Sequence, residues 1–499
     1  MKPIKDQERT RSAYHADVAR NTVHRSSLLA PKLEGSDVDI SFANHFLLKR
    51  GFKDIACRLT AIGPDGARIE SRTHPVCEPR VYAFSLADLT TEPVDNYMVE
   101  FFTADNFVYP FPAVVVNHRS EHFLNSVHSY NRILNDVFED DEINASSVPE
   151  ASIDVRLSSD TDTFGVFTSG PARVSEPIQV ALRWPDRTLE AEVAPPASRL
   201  GNSVISVHDL FGDEARHDGA ILSFKPPTQA MFYGRMLAGL RSLSDGALAA
   251  NHSFYDCSDV AEYWPDDRPS TRIYPLLEGL AARIRLYPIF SPCRLNTRID
   301  FRDDKGRVIR GVDTESLVSP SAMFLNLPVT ELLESLNISG ARSFGFSVWP
   351  QQGPTPRRIN HQLVYENAAG TSPLAASVAI SLRNPNALRA PGARGLCWGQ
   401  CAIGSDLETR LGLVLDEPDG SEQPIDLRLL SGAGEVHRGR ITLNAGGAAT
   451  LDPRALLPEL ADRPVRYLWY WATAPRADLA AYAVTRHRIS GHCSGEHSF

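Results

Sequence analysis

Four times along the 499 residues an alternating, partly β-branched run leads into an acidic turn. The first copy is Ile55-Ala56-Cys57-Arg58-Leu59 followed by Pro64-Asp65-Gly66, and the second Val180-Ala181-Leu182-Arg183-Trp184 followed by Pro185-Asp186-Arg187. The third is Thr297-Arg298-Ile299-Asp300-Phe301 with Asp304-Lys305-Gly306, and the fourth Leu411-Gly412-Leu413-Val414-Leu415 with Pro418-Asp419-Gly420. Side chains on a strand alternate between its faces, and Asp-Gly closes a hairpin because Gly accepts the positive φ of the turn. Only the first and fourth copies keep that dipeptide intact. A repeat of this kind fixes the architecture before any single motif does.

Each copy continues with a short apolar phrase, acidic in three of the four. These are Phe84-Ser85-Leu86-Ala87-Asp88-Leu89, Ile205-Ser206-Val207-His208-Asp209-Leu210, Leu325-Asn326-Leu327-Pro328 and Leu451-Asp452-Pro453. Two further strands then end in a polar-His pair: Asn117-His118, Asn251-His252, Asn360-His361 and Arg486-His487. Successive pairs are 134, 109 and 126 residues apart, so the period is near 120 and four copies fill the chain. Six to eight short strands in a unit of about 110–125 residues, punctuated by 32 Gly and 35 Pro, read as a β-sandwich. The expected fold is therefore all-β: four tandem β-sandwich units with few short helices, the helices at 230–243, 329–336 and 453–460. Linker composition divides the chain into an N-terminal arm (1–37) and units at 38–148, 149–266, 267–372 and 373–499.

The charge balance narrows the function classes. Fifty-one basic against 61 acidic residues leave −10, which excludes a broad basic face and with it duplex nucleic acid as the expected partner. No stretch approaches 18 uninterrupted apolar residues, so no membrane span is expected. The first twenty residues are polar and contain no apolar signal core, which points to the cytoplasm. Seven scattered cysteines, an odd number, read as reduced structural thiols rather than a disulfide framework. No Gly-rich phosphate loop, dinucleotide fingerprint, nucleophile elbow or HExxH pattern occurs, and no cofactor is expected.

The order strand, Asp-Gly turn, strand, Leu-x-Asp-Leu, then strands ending in a polar-His pair resembles the sensory rhodopsin transducer family. The best match is Pro112-Ala113-Val114-Val115-Val116-Asn117-His118, with echoes at Ala249-Ala250-Asn251-His252 and Arg358-Ile359-Asn360-His361. It covers about 60 residues of the first unit, with Asn117 where the family would have Gln. The resemblance implies an oligomeric, non-catalytic sandwich that binds a partner or a small carbohydrate-like ligand.

Candidate site residues cluster after the terminal strands. Asn117, His118, His122, His128, Tyr130, Asn131 and Arg132 form the densest polar stretch, and His252, Tyr255 and Asp256 echo it in the second unit. Three histidines within eleven residues suggest a divalent metal, but their spacing matches no established ligand set, so a ligand-binding loop is preferred and no metal site is assigned. Cys397 and Cys401, with His492, Cys493 and His497, offer zinc-type donors, yet i and i+4 on one strand lie about 13 Å apart and buried thiols are the simpler reading. Asp160-Thr161-Asp162-Thr163-Phe164-Gly165 resembles a calcium loop without its later acids and reads as a turn. Tyr467, Trp469 and Trp471 share one face of a strand, where they would stack a sugar or fill a core. The preferred function is a binding or scaffolding homo-oligomer that recognises a protein partner, a glycan or a nucleotide-sugar. The alternative is a glycan-modifying or metal-dependent enzyme with a His-rich site in the first unit.

Overall fold

The computed structural model describes residues 24–103, 112–128, 131–133, 145–146, 150–171, 173–184, 186–215, 220–227, 229–234, 236–255, 263–264, 269–286, 294–314, 325–353, 355–356, 359–370, 372–382, 394–417 and 420–499. The chain divides into two compact halves, one reaching to Tyr255 and the other running on from there. Each half carries two sandwiches.

The first sandwich contains β1 (His24–Pro31), β2 (Asp37–Ala43), β3 (Ile55–Ile62), β4 (Arg68–Pro75), β5 (Val81–Ser85), β6 (Asn96–Thr103), β7 (Val115–Arg119) and β8 (Leu124–His128). Two short strands follow, β9 (Asn131–Ile133) and β10 (Ala145–Ser146). The second sandwich holds β11 (Glu150–Asp154), β12 (Thr161–Thr168), β13 (Ile178–Arg183), β14 (Thr188–Val193), β15 (Asn202–Ser206), β16 (Ile221–Lys225), an inserted β17 (Gln229–Gly234), β18 (Leu237–Ser242) and β19 (Leu248–His252), then β20 (Phe254–Tyr255).

In the C-terminal half, β21 (Tyr263–Trp264) precedes the third sandwich of β22 (Ser270–Pro275), β23 (Leu280–Leu286), β24 (Leu295–Arg302), β25 (Val308–Asp313), β26 (Leu325–Leu327), β27 (Ser343–Pro350), an inserted β28 (Thr355–Pro356), β29 (Asn360–Asn367) and β30 (Ala376–Ser381). The fourth is β31 (Gly395–Ile403), β32 (Leu407–Leu415), β33 (Gln423–Ser431), β34 (Gly434–Leu443), β35 (Ala448–Leu451), β36 (Arg466–Ala474), β37 (Leu479–His487) and β38 (Cys493–His497).

Leaving the inserted strands aside, all four sandwiches have one topology. The first, sixth, third and fourth strands make one antiparallel sheet (β1-β6-β3-β4, β11-β16-β13-β14, β22-β27-β24-β25, β31-β36-β33-β34). The fifth, second, seventh and eighth make the other (β5-β2-β7-β8, β15-β12-β18-β19, β26-β23-β29-β30, β35-β32-β37-β38). The expected all-β chain of tandem sandwiches is what the molecule shows. The apolar phrase is the fifth strand plus a helical turn in every copy: Leu86–Leu89, Val207–Phe211, Val329–Ser335, and Pro453–Leu456 with Pro458–Ala461. Ser206 and Asp452 cap two of these turns by accepting the Asp209 and Arg454 backbone N–H groups.

The cores lie between the sheets. Phe42 on β2 meets Phe101 on β6 edge-on at 5.1 Å, and Phe224 on β16 fills the space over Gly165 on β12. In the third sandwich Ile299 and Phe346 pack with Ile284, Leu363 and Tyr365 of the opposite sheet, and in the fourth Leu427 and Leu468 pack with Leu411 and Ala481. The fourth strands face outward and carry charges, among them Arg68, Glu70, Arg72 and Arg310, Asp313, which keep these edges from pairing with other chains.

Within each half a joint links the two sandwiches, and it is the same joint twice. In the N-terminal half Asn96, the first residue of β6, donates from Nδ2 to the Leu200 carbonyl at 2.5 Å, while the Gly66 turn lies against the Arg199 carbonyl. In the C-terminal half Ser343, the first residue of β27, donates from Oγ to the Gly446 carbonyl at 2.6 Å, while the Gly306 turn lies against the Ala445 carbonyl. Leu200 and Gly446 both stand two residues before a fifth strand and both have positive φ, 58° and 72°. The chain is thus a two-sandwich module used twice. In the N-terminal half the pair also shares a sheet, because β17 pairs with β9 and extends β1-β6-β3-β4 to seven strands.

Four sequence-based expectations differ from this structure. β1 lies inside the stretch assigned to the arm; its Leu28 and Leu29 are buried against β6, and the polar His-Arg-Ser-Ser run before them hides the pattern. β30 extends the third sandwich to Ser381, beyond the boundary at 372. The helix expected at 230–243 is β17 and β18, because Leu237, Ala238 and Leu240 are buried and Gly239 sits directly on the β19 backbone. Leu411–Leu415 belongs to the second strand of its sandwich, and the hairpin corresponding to Asp65-Gly66 is closed after β33 by Gly432-Ala433-Gly434.

Candidate functional site

The repeated polar-His pairs do not occupy equivalent places. Asn117-His118 lies within β7, Asn360-His361 opens β29, Arg486-His487 closes β37, and Asn251-His252 sits on the eighth strand, β19. Three of the four pairs thus fall on a seventh strand, at different positions along it, and Asn251-His252 falls on an eighth.

His118 is fully buried, and its Nε2 lies 3.0 Å from the Pro31 carbonyl. Burial holds its pKa down to about 4, with the Pro31 bond opposing the shift and the Lys32 charge assisting it. Asn117, also fully buried, accepts the Ser126 hydroxyl at 2.7 Å across β7 and β8. His122 falls in the turn between those strands, half-exposed, with Nε2 3.3 Å from Glu121. In the β7–β8 register His128 stands opposite Val115 while His118 stands opposite Asn125, so the two imidazoles project from opposite faces of the sheet. The three-histidine cluster suggested by spacing does not form.

What does form is a pair across two sandwiches. β8 and β19 lie side by side, and Asn125 Oδ1 accepts the Ala250 N–H at 2.9 Å. His128 and His252 meet there edge-on, ring centroids 4.9 Å apart. Asn131 and Arg132 lie on β9 and Tyr255 on β20. Tyr130 and Asp256 lie outside the described residues.

The other candidates are framework. Cys397 and Cys401 sit on β31 and Cys493 on β38, all buried, and burial pushes the Cys401 and Cys493 thiols up to about 12. Asp162 lies on β12 rather than in a turn; it accepts the His208 N–H at 3.0 Å, and burial raises its pKa. On β36 Trp469 and Trp471 are buried, and C-terminal Phe499 stacks on Trp469 and Trp398 at 5.8 and 6.0 Å. That places protein where a sugar ring would have stacked.

Sequence reasoning missed a buried polar cluster where the third and fourth sandwiches meet. Asp416 accepts the Ile273 N–H at 2.8 Å, Tyr274 bonds His361 Nε2, and the Tyr274 and Tyr482 rings cross at 5.6 Å. Burial would lower the Arg272 pKa, but Tyr482, Asp416 and Tyr274 more than offset it. Burial, reinforced by Arg272, holds His361 at about 3. No local motif marks these residues, which come from three strands and a connection.

A pH dependence follows. His45, His118 and His361 titrate near 3, 4 and 3 when folded, against 6.5 in the free side chain. Between those values the unfolded chain binds more protons, so stability is complete above pH 6.5 and falls as pH drops toward 4. Calorimetry at pH 7, 6 and 5 should show the loss, and His118→Gln should flatten it for the N-terminal half; an unchanged slope in that variant would assign the effect elsewhere.

No described helix is long and apolar enough to cross a membrane. No protein-family model matches the chain, and no curated protein matches it. Among solved structures, the tetra-tandem repeat in the extending region of a large adhesion protein aligns over 94% of this chain and 97% of its own, at 9% identity. Its TM-score of 0.09 is too low to carry an argument.

Proposed function

We propose that this chain is a non-catalytic binding or scaffolding protein that presents two copies of a two-sandwich module to a protein partner or a carbohydrate-like ligand. The observation that carries this reading is the joint repeated in both halves. Asn96 with Gly66, and Ser343 with Gly306, lock neighbouring sandwiches at fixed geometry, the property a spacer or display platform requires. Side chains that a catalyst would expose are built into that framework: His118 against Pro31, His361 against Tyr274, and Cys401 in the core. The likeness of 112–118 to the sensory rhodopsin transducer family supports partner binding, as a cytoplasmic homo-oligomer.

The test is a thermal-shift screen of the full chain against glycans and nucleotide-sugars, with sedimentation for mass. A ligand at about 100 times its Kd stabilises the sandwich it binds by about 2.7 kcal/mol. A shift without turnover, or a mass above 55.0 kDa that rises with concentration, is expected. Turnover of a nucleotide-sugar would replace this reading with an enzymatic one.

A further inference from the structure

The eighth strand closes each sandwich, and its last residue is in turn His128, His252, Ser381 and His497. The three histidines each open a His-Ser-aromatic triplet: His128-Ser129-Tyr130, His252-Ser253-Phe254 and His497-Ser498-Phe499. Two of them make the same local bond, His252 Nδ1 to the Ser253 carbonyl at 3.1 Å and His497 Nδ1 to the Ser498 carbonyl at 2.7 Å. A carbonyl can only accept, so Nδ1 carries the proton and the lone pair stands on Nε2. That is the tautomer of a metal-ligating histidine oriented by a backbone carbonyl.

In the N-terminal half the fold brings two such strand ends together. His128 and His252 are 8% and 5% exposed, with ring planes at 85°. Their ligand nitrogens approach within 4.8 Å. An ion at about 2.1 Å from each nitrogen needs them within about 4 Å, which a small ring rotation supplies. We propose that His128 and His252 are two ligands of a divalent transition-metal ion of the zinc class, which cross-links the first sandwich to the second. Paired neutral imidazoles favour zinc, nickel or copper over magnesium or calcium. The remaining coordination positions fall to water or further donors. This site is independent of any partner the chain binds.

The probe is Zn²⁺ alone, titrated calorimetrically into the untagged, chelator-treated full chain near pH 7. One equivalent should bind with micromolar Kd or tighter, and Zn²⁺ should raise the melting temperature. His128→Gln and His252→Gln should each weaken binding by at least about tenfold, whereas His122→Gln, in the β7–β8 turn, should not. Co²⁺ in place of Zn²⁺ should give visible absorption that both variants lose. Wild-type affinity weaker than about 1 mM, or full binding retained by both variants, would overturn the site and leave the rings as packing.

Discussion

Gly306→Ala is expected to destabilise the C-terminal half by about 3 kcal/mol, while Gly340→Ala in the same half costs about 1 kcal/mol. Both glycines have left-handed backbone, φ 73° and 79°, so both substitutions carry the strain of an L-residue there. Only Gly306 has backbone in the way: its Cβ would run into the Ala445 carbonyl across the joint, whereas nothing lies within 4 Å of a Cβ on Gly340. Neither carbonyl nor turn can yield without shifting one sandwich against the other. Gly66 and Gly51 form the same contrast in the N-terminal half, φ 78° against 76°, with the Arg199 carbonyl as obstacle at Gly66 alone. Guanidinium unfolding of the four variants decides the matter. Equal costs for Gly306→Ala and Gly340→Ala would mean that the turn is an ordinary hairpin and the joint is loose.

That contrast shows where the sequence was legible. Strand identity, the all-β class and the fifth-strand phrase with its helical turn are local, written in alternation and in turn residues such as Asp65-Gly66. Pairing order is not local. The sequence shows a period near 120, but the joint makes the natural module two sandwiches long, and only the positions of Leu200 and Gly446 before their fifth strands reveal it. The same limit explains the misplaced fourth copy: Asp419-Gly420 is the stronger hairpin signal, yet the third strand's turn in that sandwich is Gly432-Ala433-Gly434. Among the site residues, grouping by sequence distance joined His118 to His128, which register places on opposite faces, and treated His252 as a mere echo of His128, which it touches. The His-Ser-aromatic triplet is local and legible in all three copies, but that two of its histidines meet is set by the pairing of sandwiches and not by the triplet.

Asp416→Ala should be the most costly single polar change in the C-terminal half, about 3–5 kcal/mol. Asp416 is 5% exposed and accepts the Ile273 backbone N–H at 2.8 Å, while its charge helps hold Arg272 protonated. Alanine removes the acceptor and leaves both the buried N–H and the guanidinium short of a partner, which costs more than the bond itself contributes. Asp416→Asn keeps an acceptor for Ile273 and removes only the charge, so its cost should be smaller, about 1–3 kcal/mol. Because Ile273 belongs to the third sandwich and Asp416 to the fourth, the loss should appear as separation of their unfolding transitions as well as a lower midpoint. Phe499→Ala, which uncovers Trp469 and Trp398 in the fourth sandwich alone, should lower the midpoint without splitting the transition. A cost below about 1 kcal/mol for Asp416→Ala, with one cooperative transition, would show that the Asp416 contact does not couple the two sandwiches, leaving that task to Ser343 and the Gly306 turn.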